Sequence, residues 1–173
     1  MKRRARLPLL RHLEPVCYVI DTSSWLNIDV RPDAEAVWQI INRLIAESRI
    51  VACARVLDEL RDNLLYSTRL KPYEKALQAG ERASDDPEYL TMLCRITYEH
   101  PAMCKARGVK TPADGYVVAL AELEQYTVVA DETTNKRANR KIPGVCKQRG
   151  INCITLDKFV SDNPTLGTAA GAS

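Results

Sequence analysis

Histidine is almost missing from this chain of 173 residues: His12 and His100 are the two, and they stand isolated in the sequence. Support is therefore lacking for a histidine-dependent ribonuclease or a Ser-His-Asp hydrolase, both of which need an imidazole base. None of the six cysteines forms a C-x-x-C pair, so a zinc site or disulfide framework has little to build on. Cys17, Cys53 and Cys153 fall in apolar runs, where free thiols pack as small hydrophobes, which together with the lack of a secretory leader points to a reducing cytoplasm. No apolar stretch is long enough to span a bilayer. The net charge of +3 sets up no global basic field, so any nucleic-acid signal must come from local clusters. Internal repeats are not evident.

What remains is the composition of one ordinary globular domain, 46% hydrophobic and 27% charged. Its organising stretch runs from Val16 to Leu26. Val16-Cys17-Tyr18-Val19-Ile20 carries no charge and fits a strand buried on both faces, as in the middle of a parallel sheet. Asp21-Thr22-Ser23-Ser24 follows at once, and each of these side chains can cap a helix. Ligands of open α/β sheets sit beyond the carboxyl ends of the strands, which is where Asp21 would stand.

Residues 1–15, with Lys2, Arg3, Arg4, Arg6 and Arg11, read as a basic arm. A helix is expected from Asp33 to Ser48, capped by Asp33, and a short buried strand over Ile50 to Cys53. Ala54 to Leu65 has the pattern of a helix whose core stripe is Val56, Leu57, Leu60 and Leu64. Glu59 lies to one side of that stripe with Asn63 one turn on, while Asp58 points to solvent. Residues 66–110 read as a helical insertion with a basic loop, broken near Pro72 and Pro87 and packing at least partly away from the sheet. Thr111-Pro112-Ala113-Asp114 is a strong helix start for Pro112 to Glu124. Asp114 shares the apolar face of Val117, Val118 and Ala121, an unusual place for an acid. Thr127 to Ala130 is a further strand ending in Asp131-Glu132. A short helix over Val145 to Gln148, a strand over Ile151 to Ile154 and a helix over Leu156 to Asp162 follow. Residues 163–173 are small and polar and read as a disordered tail.

Asp21, Glu59, Asp114 and Asp131 or Glu132 are thus brought to one sheet edge by helical crossovers. Several carboxylates within a few ångströms repel each other unless something positive neutralises them. Oxygen-only ligands suit Mg²⁺ or Mn²⁺, which would polarise a phosphodiester and activate water for in-line displacement. Each acid alone has a plainer reading, as a cap, a solvated helix residue or a polar loop; their joint order carries the metal expectation.

These segments, Tyr18-Val19-Ile20-Asp21-Thr22-Ser23-Ser24-Trp25, Val56-Leu57-Asp58-Glu59-Leu60, Pro112-Ala113-Asp114-Gly115-Tyr116-Val117-Val118 and Val128-Val129-Ala130-Asp131-Glu132, resemble a PIN domain. Lys141-Ile142-Pro143-Gly144-Val145-Cys146 resembles a prokaryotic PIN-like subgroup of largely uncharacterised function. The resemblance spans roughly residues 16–160. It implies a three-layer α/β/α sandwich with a mostly parallel central sheet, and a metal-dependent ribonuclease that frequently serves as the toxin of a toxin–antitoxin pair. By position, Asp21, Glu59 and Asp114 match the metal-holding acids and Ser23 the supporting hydroxyl; apart from the resemblance, Asn63, one turn on from Glu59, is a second supporting candidate. The family's Thr-x-Asp after the later strand is replaced here by Ala130-Asp131-Glu132, which leaves Asp131 and Glu132 both candidates for the fourth acid.

Basic residues flank the acids: Lys105, Arg107 and Lys110 before Asp114, and Lys136, Arg137, Arg140 and Lys141 after Glu132. Beside an acidic site they would contact RNA phosphates, which position a strand without choosing its sequence. The expectation is a Mg²⁺- or Mn²⁺-dependent endoribonuclease leaving a 5′-phosphate and a 3′-hydroxyl, with RNA, an antitoxin protein and a second copy of the chain as partners, and no membrane. The rival is a catalytically degenerate module of the same fold that binds RNA or protein. A phosphatase with Asp21 as nucleophile ranks below both, because the haloacid-dehalogenase pattern wants an Asp where Ser23 stands.

Overall fold

A computed structural model of the chain describes residues 15–82, 85–104, 113–131 and 141–165. The apolar run does become a strand, but a short one: β1 is Tyr18–Ile20, with all three residues buried. Helix α1 (Thr22–Asp29) follows after a single residue, then α2 (Ala34–Ala46), β2 (Ile50–Val51), α3 (Ala54–Leu60), α4 (Glu74–Gln78), α5 (Pro87–Glu99), α6 (Pro101–Cys104), α7 (Asp114–Glu124), β3 (Thr127–Val129), α8 (Ile142–Arg149), β4 (Cys153–Ile154) and α9 (Leu156–Asp162). A π-helical turn, Tyr66–Leu70, and a 3₁₀ turn, Lys71–Tyr73, lead into α4.

Among the described residues the strands form one four-stranded sheet in the order β2-β1-β3-β4, every pair parallel. Tyr18 pairs with Ile50 on one side and Thr127 on the other, so β1 is central. A parallel sheet needs helical crossovers, and these cover both faces to give a three-layer α/β/α sandwich. On one face, α9 lies against Tyr18, whose ring abuts Phe159 edge-on at 4.9 Å, and Arg43 of α2 reaches the Pro164 carbonyl just beyond α9. On the other, α7 packs on β1 and β3 and is itself covered by α5 and α8. Arg149 locks that second layer: it pairs with Glu122 of α7 at 2.5 Å and with Glu99 of α5. Trp25 of α1 stacks on Trp38 of α2 at 6.0 Å.

Three local expectations need correction. The helix from Ala54 ends at Leu60 instead of Leu65. Asn63 breaks it by accepting the Leu65 N–H at 2.9 Å. The helical phase therefore slips, and Leu65 is buried while Leu64 is 75% exposed. Asp33 precedes α2 but makes no side-chain cap, because Arg31 holds its carboxylate in two hydrogen bonds of 2.7 and 3.1 Å. Of the helical segments expected between residues 66 and 100, the first packs on the sheet. Leu70 and Leu77 are fully buried, the Ala52 N–H donates to the Leu77 carbonyl at 2.9 Å, and a Cβ at Gly80 would meet Val51 Cγ2 at 2.6 Å. α5, by contrast, packs on α7.

The third correction concerns the C-terminal tail. Asn163 is 4% exposed; its amide donates to the Tyr18 hydroxyl at 3.1 Å and to the Phe159 carbonyl at 2.8 Å. Arg43 then holds the Pro164 carbonyl at 3.0 Å. Residues 163–165 are thus part of the fold, while 166–173 and the basic arm over 1–14 lie outside the described residues. Among the described residues no helix is long and apolar enough to cross a membrane.

Candidate functional site

Parallel pairing brings the carboxyl ends of β1, β2 and β3 to one edge, and four helices begin there. Each of those helix starts takes a carboxylate. Asp21 ends β1 and caps α1: it is 4% exposed, its Oδ1 accepts the Ser24 N–H at 2.8 Å and its Oδ2 accepts the Ser23 hydroxyl at 2.7 Å. Cys53, before α3, makes no side-chain cap; the carboxylate of Glu81 accepts the Ala54 N–H instead, at 2.6 Å. Ala113, before α7, has no capping side chain either, and Glu59 accepts its N–H at 2.9 Å. At α9, Asp131 accepts the Leu156 N–H at 2.8 Å, beside the cap that Thr155 makes to Lys158. The first N–H groups of a helix lack partners within it and carry a partial positive charge, so an anion is stabilised there.

A continuous hydrogen-bonded line joins the predicted acids. Thr22, next to Asp21, donates its hydroxyl to Glu59 Oε2 at 2.6 Å. The other oxygen of Glu59 holds Ala113, whose neighbour Asp114 is the half-buried first residue of α7. On the far side, Ser24 accepts the Asp131 N–H at 3.0 Å. Asp21, Glu59, Asp114 and Asp131 therefore share one sheet edge. Asn63 does not join this line; it is exposed and caps Leu65. Lys141 is exposed at the start of α8. Glu132, Lys105, Arg107, Lys110, Lys136, Arg137 and Arg140 lie outside the described residues.

Behind the line sits a second tier that the sequence pattern did not single out. Burial raises the Glu81 carboxyl above its ordinary value, against the opposing Ala54 hydrogen bond. Burial also pushes the Cys53 thiol up to about 12, with the charges of Glu81 and Glu59 adding to it. The signal for Glu81 was the uncapped Cys53-Ala54 helix start, which needs an acceptor from elsewhere in the chain. Thr22 and Ser24 were visible as cap residues; their cross-chain partners were not.

The donor set is all oxygen, which fits a hard divalent cation and not a thiophilic one. Among the described residues, however, no three His, Cys, Asp or Glu side chains lie close enough to share one ion. The helix ends supply part of the neutralisation that closely spaced acids require. Asp21 and Asp114 flank the Thr22–Glu59–Ala113 bridge.

Fold and site together define a small parallel-sheet α/β domain with carboxylates gathered at the strand ends. The chain matches, over residues 18–164, a family described as a domain of unknown function, DUF4411, and it belongs to that family. No curated protein matches it.

Proposed function

We propose that the protein is a metal-dependent endoribonuclease of PIN-like type that hydrolyses RNA phosphodiester bonds in the cytoplasm, acting as the toxin of a toxin–antitoxin pair. The observation that carries the proposal is the buried Asp21 at the strand end, tied through Thr22 and Glu59 to the start of the helix that bears Asp114. A bound Mg²⁺ or Mn²⁺ would contribute polarisation of the phosphodiester and activation of water. Asp21 and Asp114 would hold the ion, and Ser23 and Ser24 keep the Asp21 carboxylate fixed from two sides. Glu59 has both oxygens engaged by Thr22 and Ala113, so it holds the two acid-bearing segments in register. Asp131, or Glu132 beyond it, would serve as the fourth acid.

The test is cleavage of RNA with added Mg²⁺ or Mn²⁺ by wild type, Asp21→Asn and Asp114→Asn. Loss of at least a hundredfold in both variants, on the order of 2.7 kcal/mol in barrier, is expected; equal cutting by all three rules the proposal out. The helix-end neutralisation of the acids favours a second reading, a degenerate PIN-like module that binds RNA or a partner protein without turnover. RNA binding with neither cleavage nor a Mn²⁺-dependent rise in melting temperature selects it.

A further inference from the structure

Helix α5 carries a second uncharged face besides the one that packs on α7. Tyr89 and Ile96 fill the packed face and are buried. On the outer side Leu90, Cys94, Thr97 and Tyr98 recur at the spacing of one helical stripe, and no charged residue falls on it. The carboxylates beside the stripe are neutralised: Glu99 pairs with Arg95 at 2.9 Å and with Arg149, and Glu88 with Arg82 at 2.9 Å. At its far end Leu93, Cys94, Thr97, Tyr98 and Pro101 line a hollow of about 590 Å³, within the range of small-molecule sites. Tyr98 is 87% exposed there, more than any other large hydrophobic side chain among the described residues.

The hollow lies at the corner where α5 gives way to α6, and that corner closes on the start of α7. A Cβ on Gly115 would meet Cys104 Sγ at 3.1 Å and Leu93 Cδ1 at 3.4 Å, so the glycine lets both helices approach. Asp114 is the residue before it. Leu93 therefore belongs to both places: it lines the hollow and reaches the residue next to Asp114. We propose that this hollow is a nucleobase site, in which an unpaired base of single-stranded RNA stacks on the ring of Tyr98 while the strand continues toward Asp114. The inference rests on the nuclease reading and adds to it where the substrate strand lies.

A base suits this surface. Every base offers a flat π-face that stacks on an aromatic ring whatever the sequence, while its sugar and phosphate stay in water. The phosphates need cations, and the sequence between Cys104 and Ala113 holds Lys105, Arg107 and Lys110 and no acid. With Glu88 and Glu99 already paired, charge at this corner favours a polyanion. A helix from a partner protein would call for large aliphatic side chains along the whole stripe. Here Cys94 and Thr97 occupy its middle, and the exposed ring stands at the end nearest Asp114.

The experiment uses the full chain carrying Asp21→Asn, so that RNA is not consumed, and a short fluorescein-labelled single-stranded RNA whose binding is read by fluorescence anisotropy. Tyr98→Ala and Tyr98→Leu, each added to that parent, should weaken binding roughly 5- to 150-fold, the worth of one base stacked on an aromatic ring. Tyr98→Phe keeps the ring and should stay within about twofold of the parent. The salt dependence should be the same in all, because no phosphate contact is removed. An abasic strand should bind the parent and Tyr98→Ala equally. The side chain is so exposed that each variant should fold, which circular dichroism checks.

Equal binding of base-bearing RNA by the parent and Tyr98→Ala overturns the proposal, as does Tyr98→Leu binding as tightly as Tyr98→Phe. A dimer that Tyr98→Ala dissolves with RNA affinity unchanged gives the hollow to a second copy and overturns it too. The two readings fail separately. Binding that Tyr98→Ala loses, in a protein whose wild type cuts no RNA, removes the nuclease alone. Cleavage by wild type with the same KM in Tyr98→Ala removes the base site alone, and a parent that binds no RNA removes both.

Discussion

Removing the carboxylate of Glu59 tests whether the acidic line holds the fold as well as the site. Glu59→Ala deletes the acceptor of two hydrogen bonds, from the Thr22 hydroxyl at 2.6 Å and the Ala113 N–H at 2.9 Å. The carboxylate is half-buried, so water replaces part of each bond and about 1 kcal/mol apiece is a fair value. Loss of an anion at the start of α7 adds roughly 0.3–1 kcal/mol. The sum is about 2–3 kcal/mol, and at about 2–4 °C per kcal/mol for a chain of this size the melting temperature should fall by roughly 5–10 °C. Asp58, its exposed neighbour, reaches Arg61 at 3.3 Å, and Asp58→Ala should cost no more than about 0.5 kcal/mol. Glu59→Gln keeps one carbonyl acceptor and should fall between the two. Thermal and urea unfolding followed by circular dichroism reads all three without metal or RNA. If Glu59→Ala unfolds together with Asp58→Ala, Glu59 does not tie α1 to α7.

Two further predictions concern parts of the fold remote from that bridge or behind it. Asn163→Ala strands the Tyr18 hydroxyl and the Phe159 carbonyl and should cost about 2–3 kcal/mol; in a double-mutant cycle with Tyr18→Phe the two losses should be strongly less than additive, and simple additivity speaks against the contact. Glu81 has a folded-state pKa raised above its ordinary 4.5 by burial, so the folded chain holds that proton more tightly than the unfolded one and stability falls as pH rises through the window just above 4.5. Glu81→Gln keeps an acceptor for Ala54 and removes that slope, so its stability relative to wild type should climb across that window and then level off. A difference that is flat with pH, or falls, counts against the burial argument.

The central strand, the acid that ends it and the parallel character of the sheet were legible because an uncharged run followed by Asp-Thr-Ser-Ser leaves few alternatives; the strand order was not. The misses share one cause: local pattern does not reveal a competitor from elsewhere in the chain or a side chain that interrupts the period. Leu64 sits at the right helical spacing, but Asn63 takes the Leu65 N–H and resets the phase. Asp33 is a good cap by type, and Arg31 takes its carboxylate. Asn163 opens a polar stretch that composition assigns to a tail, yet its amide finds Tyr18, 145 residues earlier. At the site, the sequence placed Asp21, Glu59, Asp114 and Asp131 at one edge, but it did not show which helix starts they would meet. The helix starts at Ala54, Ala113 and Leu156 take up the carboxylates of Glu81, Glu59 and Asp131.

The pairing of Tyr18 with Thr127 and its hydrogen bond to Asn163 have a bearing on synthesis. The first strand of the sheet is an inner one, and both its second neighbour and the residue that bonds its tyrosine lie more than a hundred residues further along the chain. A nascent chain can hold β1 against β2 but cannot complete the domain until Asn163 is free of the ribosome. Truncation before Asn163 should thus leave ribosome-bound or released fragments open to proteases, with the acidic edge unassembled.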